Sequence, residues 1–452
     1  MTNFFESRYL TLVGHVQSGK TIEEINYCHE SVNHHKRPVV FIVRNITADQ
    51  LQLKSRFLQY NLDVKLLSNL TIDQTVSFME ICGIVILLCN TFQLSKMKQV
   101  IEKFGKPFHV CIDEVDFTIK SRELVSNIDV FLTFIKKTAH HVLGATATPL
   151  ALFLSDTSLS QIKYLKPNKK YQGIETLNVE FVDSCIIRSE ADFPLCDMGA
   201  MDLIYETFMK KTHGVILHTV VKEKENHYKI QNYLKVNYKS LTTVVYNGDG
   251  IKVICDTRNG PPFATKKELN QYNQLVNKYY QINENGTTFH YFHKYTISEV
   301  LSLLAYDPHH THNFISIIAG HLASRGISFV STDYRLHLTD QYFYASKNTH
   351  GENLLQSLRI LGCYEDNVPL TLWCSKKTWD AIISQNQLIH KLVEGVNNST
   401  SWMSKIKTIQ INRPKNPLTR PKLCNYLIKP SDDKMFTLDI FYPLDPDLED
   451  FI

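Results

Sequence analysis

The first 150 residues alternate short, almost unbroken apolar runs with longer polar stretches, and this alternation constrains the fold most. The runs are "RYLTLVG" (8–14), "PVVFIVR" (38–44), "GIVILLCN" (83–90), "FHVCID" (108–113) and "HHVLGAT" (140–146). A strand with one wet face alternates apolar and polar residues, whereas a run that is apolar at nearly every position is covered on both faces. Between the runs, "SGKTIEEINYCHESVNHH" (18–35) and "TADQLQLKSRFLQYN" (47–61) read as helices. Parallel strands need crossovers of a dozen residues or more, which such helices supply. The expected architecture is α/β, a parallel sheet with helices on both sides.

The alternation resumes near residue 200, with "HGVILHT", "TTVVYNG", "NFISIIAG", "YRLHLTDQYFY" and "PLTLWC" as strand candidates. The expected organisation is therefore a first domain over 1–160 and a linker with a β-hairpin over 161–199. A second domain follows over 200–395 with an insertion at about 251–310, then a basic and finally acidic extension over 396–452. A chain of 452 residues accommodates two or three domains. Its 21% charged and 43% hydrophobic residues are ordinary for a globular protein. The net charge of +4 permits nucleic acid as a partner without arguing for it. The ten cysteines include no C-x-x-C pair, which argues against a zinc site of that kind. "MTNFFESRYL" has no signal-peptide pattern, and no run of about 18 apolar residues appears. The expectation is an intracellular protein of cytoplasm or nucleus, with no membrane partner.

The first apolar run leads into Gly14-His15-Val16-Gln17-Ser18-Gly19-Lys20-Thr21, the G-x-x-x-x-G-K-[ST] pattern. Glycines let the backbone wrap close to phosphates, and its N–H groups point inward at the start of the next helix. Gly14, Gln17, Ser18, Gly19, Lys20 and Thr21 are candidate contacts to a nucleotide. Lys20 would neutralise the β- and γ-phosphates, and Thr21 would offer its hydroxyl to Mg2+.

"FHVCIDEVD" runs an apolar strand into Asp113-Glu114-Val115-Asp116. Asp113 at a strand end can hold Mg2+, and Glu114 beside it can orient and deprotonate an attacking water. A third strand ends in Gly144-Ala145-Thr146-Ala147-Thr148-Pro149. Thr146 and Thr148 carry short hydroxyl side chains able to hydrogen-bond a neighbouring carboxylate.

Phosphate loop, D-E-x-D box and T-A-T triplet, in this order, resemble the superfamily 2 DExD-box helicases and translocases. The wording "QSGKT", "SRG" and "Q-x-x-R-x-x-G-x-Y" looks closest to divergent members encoded by viruses, phages or mobile elements. The resemblance implies two tandem RecA-like P-loop domains with parallel sheets and an ATP cleft between them, ATP and Mg2+ as cofactors, and hydrolysis of ATP. Thr146 and Thr148 would couple the acidic box to domain movement. "GHLASRGISF" (320–329) looks like the motif in which Ser324 meets the nucleic-acid backbone while Arg325 and Gly326 meet nucleotide. "NLLQSLRILGCY" (353–364) looks like the final motif, where Gln356 and Arg359 would face the γ-phosphate from the opposite domain. Arg44 and Thr91 stand where the family places nucleic-acid contacts. One departure is plain: Arg359 follows Gln356 by three residues where the family has four, and Cys363 stands near the place of the second arginine.

The partner implied is single-stranded DNA or RNA. Lysines in "KMKQVIEKFGKPF", "KPNKKYQG" and the 404–422 tail, and aromatics in "QYNQLVNKYYQ" and "HYFHKY", are candidate contacts. For any single stretch a solvated lysine face or an aromatic core is the better reading. The alternative function is a helicase-like subunit with weak or no unwinding activity, docking partner proteins through its acidic, apolar C-terminus. A packaging motor ranks last, since the second half carries "SRGIS" and "QSLR" where a nuclease carboxylate cluster is needed.

Overall fold

The computed structural model describes residues 4–118, 127–149, 161–182, 198–219, 224–255, 278–284, 287–293, 295–305, 312–320, 326–343, 351–364, 368–398, 425–430 and 436–441. Two compact units emerge, one built mainly on Met1–Lys169 and the other on Lys170–Gln385.

In the first unit the strands are β1 (Tyr9–Gly14), β2 (Val39–Val43), β3 (Val64–Leu66), β4 (Ile84–Leu88), β5 (His109–Ile112), β6 (His141–Thr146) and β7 (Gln161–Leu165). They form one sheet in the order β3-β4-β2-β5-β6-β1-β7. Every neighbouring pair is parallel. The five apolar runs of the sequence are β1, β2, β4, β5 and β6. Successive residues point to opposite faces, so each run feeds two cores. Val39, Phe41 and Val43 join Leu10, Leu12, Ile25 and Phe57 on one side. Val40 and Ile42 join Leu94, Met97, Val110 and Ile135 on the other. The first core is roofed by α1 (Lys20–Asn33) and α2 (Thr47–Gln59), the second by α3 (Ile72–Glu80), α4 (Thr91–Phe104) and α5 (Asn127–Thr138).

The second unit holds a nine-stranded sheet ordered β13-β14-β12-β11-β15-β10-β16-β18-β9. Its parallel part comprises β9 (Asn178–Phe181), β10 (Gly214–Thr219), β11 (Thr242–Asn247), β15 (Phe314–Ala319), β16 (Asp340–Tyr342) and β18 (Thr371–Cys374). Helices α6 (Met198–Phe208) and α7 (Lys224–Asn237) pack Tyr205, Phe208, Ile230 and Leu234 against Ile216, Val245 and Ile318. Further on come α8 (Ile297–Ala305), α9 (Gly351–Ser357) and α10 (Lys376–Asn398).

Two expectations are corrected. No hairpin forms within the described part of 161–199: β7 joins the first sheet beside β1, β9 joins the second, and β8 (Tyr171–Gln172) pairs with β17 (Gly362–Cys363). The stretch expected as an insertion, 251–310, carries regular structure where it is described. Its strands β12 (Gly250–Ile254), β13 (Lys278–Glu284) and β14 (Thr287–His293) extend the second sheet antiparallel, and α8 buries Ile297, Val300, Leu301 and Leu304. The boundary expected at 395 falls inside α10. In the C-terminal extension, β19 (Asn425–Pro430) and β20 (Phe436–Phe441) make a two-stranded sheet. The lysines of the 404–422 tail and the acidic C-terminus lie outside the described residues. Among the described residues no helix is long and apolar enough to cross a membrane.

Candidate nucleotide site

In an open parallel sheet, ligands gather beyond the carboxyl ends of the strands. At that edge of the first sheet the adjacent strands β1, β6 and β5 end in the phosphate-loop pattern, the T-A-T triplet and the acidic box. The topology thus brings together three motifs that the sequence separates by 93 and 33 positions (113 − 20 and 146 − 113).

The loop over Gly14–Thr21 is tight. The Ser18 amide donates to the His15 carbonyl at 3.2 Å. Gly19 caps α1 with φ +96°, a left-handed conformation that strains a side chain, and no side chain caps the helix. Gln17 also has positive φ, 56°. An uncapped helix start carries amide N–H groups and the positive end of the helix dipole, an anion site by construction. The Lys20 ammonium folds back into the loop, donating to the carbonyls of His15 at 2.8 Å and Gly14 at 3.4 Å. It is buried, as is Ser18, whose hydroxyl has no partner among the described residues. Tyr164 on β7 hydrogen-bonds His15 at 2.5 Å and so ties the loop to the neighbouring strand.

At the acidic box the Asp113 amide still bonds the Ile42 carbonyl, at 3.1 Å. The chain then turns sharply, with Glu114 at φ +52°. That region costs a non-glycine residue about 1–2 kcal/mol, and such strain clusters at functional positions. Burial, then the adjacent Glu114 and Asp49 carboxylates, hold the Asp113 carboxyl above its ordinary range, against the pull of Arg44 and Lys20.

The T-A-T threonines find their carboxylate in Asp116, the last residue of the box. Thr146 donates to one Asp116 oxygen at 2.8 Å and Thr148 to the other at 3.0 Å. The Thr148 amide closes the group on the Thr146 hydroxyl at 2.9 Å. All three are buried. Sequence reasoning quoted Asp116 within the box but gave it no role; its signal was the box itself, followed by two hydroxyls at T-x-T spacing. A second residue was missed outright. Glu24, one turn along α1 from Lys20, is fully buried, and among the described residues neither carboxyl oxygen has a hydrogen-bond partner. Burial, then Asp113, raise its pKa well above the ordinary range.

Mg2+ takes hard oxygen donors and commonly binds through one or two carboxylates together with substrate phosphates. Thr21, Asp113 and Glu114 supply such donors, all partly accessible. Among the described residues no group of three His, Cys, Asp or Glu side chains would hold a metal alone, and this mode of binding requires none.

Other expected contacts are placed differently. Arg44 is not open to a nucleic acid: it pairs with Asp49 at 2.7 Å, and both side chains are almost buried. Thr91 opens α4 and is exposed. The lysines of 96–108 are engaged locally, Lys98 with Glu102, Lys103 with Asp73 and Lys106 with Glu80. Phe289, Phe292 and Tyr295 are core residues. Ser324 and Arg325 lie outside the described residues, while Gly326 turns at φ +70°. Gln356 and Arg359 are brought together, yet both are buried. The Arg359 guanidinium donates to the carbonyls of Ile327, at 2.9 Å through Nε, and of Gln356, at 3.0 Å. It is held within the second unit as a brace between the "SRGI" and "QSLR" segments. An arginine that reaches a phosphate must present its guanidinium, so the expectation of a free finger at 359 is not met in this structure.

No family model matches the chain, and no curated protein does. Solved structures do match. S. cerevisiae Dbp5 bound to RNA and ADP BeF3 superposes with a TM-score of 0.49 at 10% identity, covering 86% of this chain and 90% of that one. A variant of the same protein gives 0.48 at 11% identity, covering 88% and 89%. Mycobacterium smegmatis helicase Lhr bound to ssDNA and AMP-PNP gives 0.50 at 10% identity, covering 86% of this chain and 46% of that one. The fold of this chain is the α/β fold of two-domain RecA-like helicases, its sheets largely parallel.

Proposed function

We propose that this chain is an ATP-dependent nucleic-acid helicase or translocase of the superfamily 2 DExD-box type. The observation that carries the reading is the bond pair from Thr146 and Thr148 to Asp116, which joins the acidic box to the next strand beside the phosphate loop. In this reading the loop amides and Lys20 hold the phosphates. Thr21 and Asp113 hold Mg2+, which would supply a charge on the phosphate oxygens. Glu114 accepts the proton of the water that attacks the γ-phosphorus, and the bond to the leaving diphosphate breaks. A shift of the box on hydrolysis is felt by Asp116 and passed to the β6 end through two hydroxyls. Single-stranded DNA or RNA is the proposed track; in the structure matched above, Lhr holds ssDNA and AMP-PNP.

ATP turnover by the purified chain, with and without DNA or RNA single strands, tests this. Lys20→Ala and Glu114→Gln are expected to abolish stimulated turnover, and unchanged turnover in either sinks the proposal. A second reading, a helicase-like binding subunit without motor activity, is favoured by the buried, carbonyl-bound Arg359. Retained single-strand binding without turnover in the wild-type chain selects it.

A further inference from the structure

His15 is the pivot of the loop over Gly14–Thr21. Its carbonyl accepts both the Ser18 amide, at 3.2 Å, and the Lys20 ammonium, at 2.8 Å. The placing of this one peptide therefore sets where the Ser18 amide and the Lys20 side chain lie. The His15 imidazole is in turn gripped by two side chains from far along the chain. Tyr164 Oη hydrogen-bonds its Nε2 at 2.5 Å, and the two rings meet edge-on with centroids 5.8 Å apart. The His390 ring lies against the same imidazole, centroids 5.1 Å apart and planes tilted by 49°.

Both grips have firm footing. Tyr164 is fixed by strand pairing, with Val13↔Tyr164 and Gly14↔Leu165 in register on β1 and β7. His390 stands on α10, whose residues from Asn386 belong to the first unit. Neither residue is core: Tyr164 is half-buried on the edge strand and His390 is exposed. Their contacts with His15 thus add little to the fold itself and bear on the loop. A glycine-containing loop has much conformational freedom to lose when it closes on a ligand. Fixing the side chain of its pivot residue removes part of that cost beforehand and holds the donors in place.

We infer that Tyr164 and His390 are positioning residues of the nucleotide site, clamping the His15 imidazole and so keeping the loop amides and Lys20 in the arrangement that takes up phosphates. The inference rests on reading Gly14–Thr21 as a phosphate loop. Neither residue is required to touch phosphate, and both act through His15.

The experiment measures fluorescent-ADP binding, with Mg2+, and thermal unfolding for the full chain. Tyr164→Phe and His390→Ala are made singly and each again together with His15→Ala, with Lys20→Ala as reference. Tyr164→Phe removes one hydroxyl and keeps the ring. Each single variant is expected to unfold close to wild type and to bind ADP about fivefold more weakly, the size of one hydrogen bond or ring contact. His390→Phe keeps a ring against His15 and is expected to restore affinity. In the His15→Ala background neither change should weaken binding further, since residues that act through a common partner are not additive. Wild-type affinity in both single variants overturns the inference. So does a lowered unfolding temperature with unchanged affinity, which would make the contacts structural only, or full additivity with His15→Ala. If wild type binds ADP no better than Lys20→Ala does, the phosphate-loop reading has failed and takes the inference with it. Should His15→Ala not fold, His15→Phe offers Tyr164 no ring nitrogen, and additivity with Tyr164→Phe is read in that background.

Discussion

Thr146 donates its hydroxyl to Asp116 at 2.8 Å across 30 positions of sequence, deep in the first unit. Replacing Thr146 by Val keeps the shape and removes the donor. A buried carboxylate oxygen then loses this donor, a deletion of the kind that costs about 1–3 kcal/mol. Urea unfolding is expected to show that loss with an unchanged denaturant slope. Nucleotide binding should survive, while stimulation of turnover by single strands falls. Stability and stimulation both at wild-type level would remove the link from the mechanism.

Gly14 admits no side chain. A Cβ there would lie 2.9 Å from Ser18 Oγ and 3.3 Å from Leu165 Cβ. Gly14→Ala is expected to displace the loop and weaken nucleotide binding at least about tenfold, roughly 1.4 kcal/mol. Circular dichroism should still report a folded chain. Equilibrium titration with a fluorescent nucleotide decides it, and wild-type affinity would show that the loop tolerates the methyl.

Arg359 braces the second unit through the carbonyls of Ile327 and Gln356. Hydrogen bonds to a charged group contribute about 1.5–3 kcal/mol each, so Arg359→Ala is expected to destabilise the chain by several kcal/mol. Arg359→Lys lacks the planar fork and should recover little of it. Chemical denaturation of the two variants gives the measure. Full stability in Arg359→Ala with lost hydrolysis would instead identify a phosphate-facing arginine.

Acid should weaken the first unit. Burial, then the neighbouring His141, His140, His35 and Arg37, lower His109 to about 3. His141 is lowered to about 4, chiefly by burial. An unfolded histidine titrates near 6.5. As pH falls below that value the unfolded chain takes up protons that the folded chain refuses. The stability these two residues supply is therefore complete above about pH 6.5 and is lost progressively as pH falls through their folded values, about 4 and then about 3. Unfolding free energies between pH 7 and 4 should decline less in a His109→Gln variant, and equal slopes would contradict the assignment.

Much of this was legible in the sequence because runs such as "VVFIV" and "IVILL" are apolar at every position, which leaves a two-sided sheet as their only good environment. β3 was not legible: three residues with an exposed lysine in the middle carry little pattern. Nor was β7, whose half-buried "QIKYL" reads like a loop because it lies on the sheet's edge. At the site, Lys20 and Asp113 were found by motif. Glu24 was hidden because "KTIEEI" leaves the phase of the helix open, and only the fold decides that Glu24 faces the sheet while Glu23 does not. Arg359 misled for the opposite reason. A cation in a familiar motif reads as exposed, and its burial depends on the Ile327 carbonyl, which no local pattern announces.

The chain leaves the first sheet along β7, which is paired with β1 from Leu10↔Gln161 to Gly14↔Leu165. Parallel bonds between such strands are evenly spaced and share load when pulled lengthwise. Tension on the segment beyond Leu165 therefore acts in shear on β1, and the first pair to take it is Gly14↔Leu165. The residue that opens the candidate phosphate loop is also the residue at which a mechanical pull on the chain arrives.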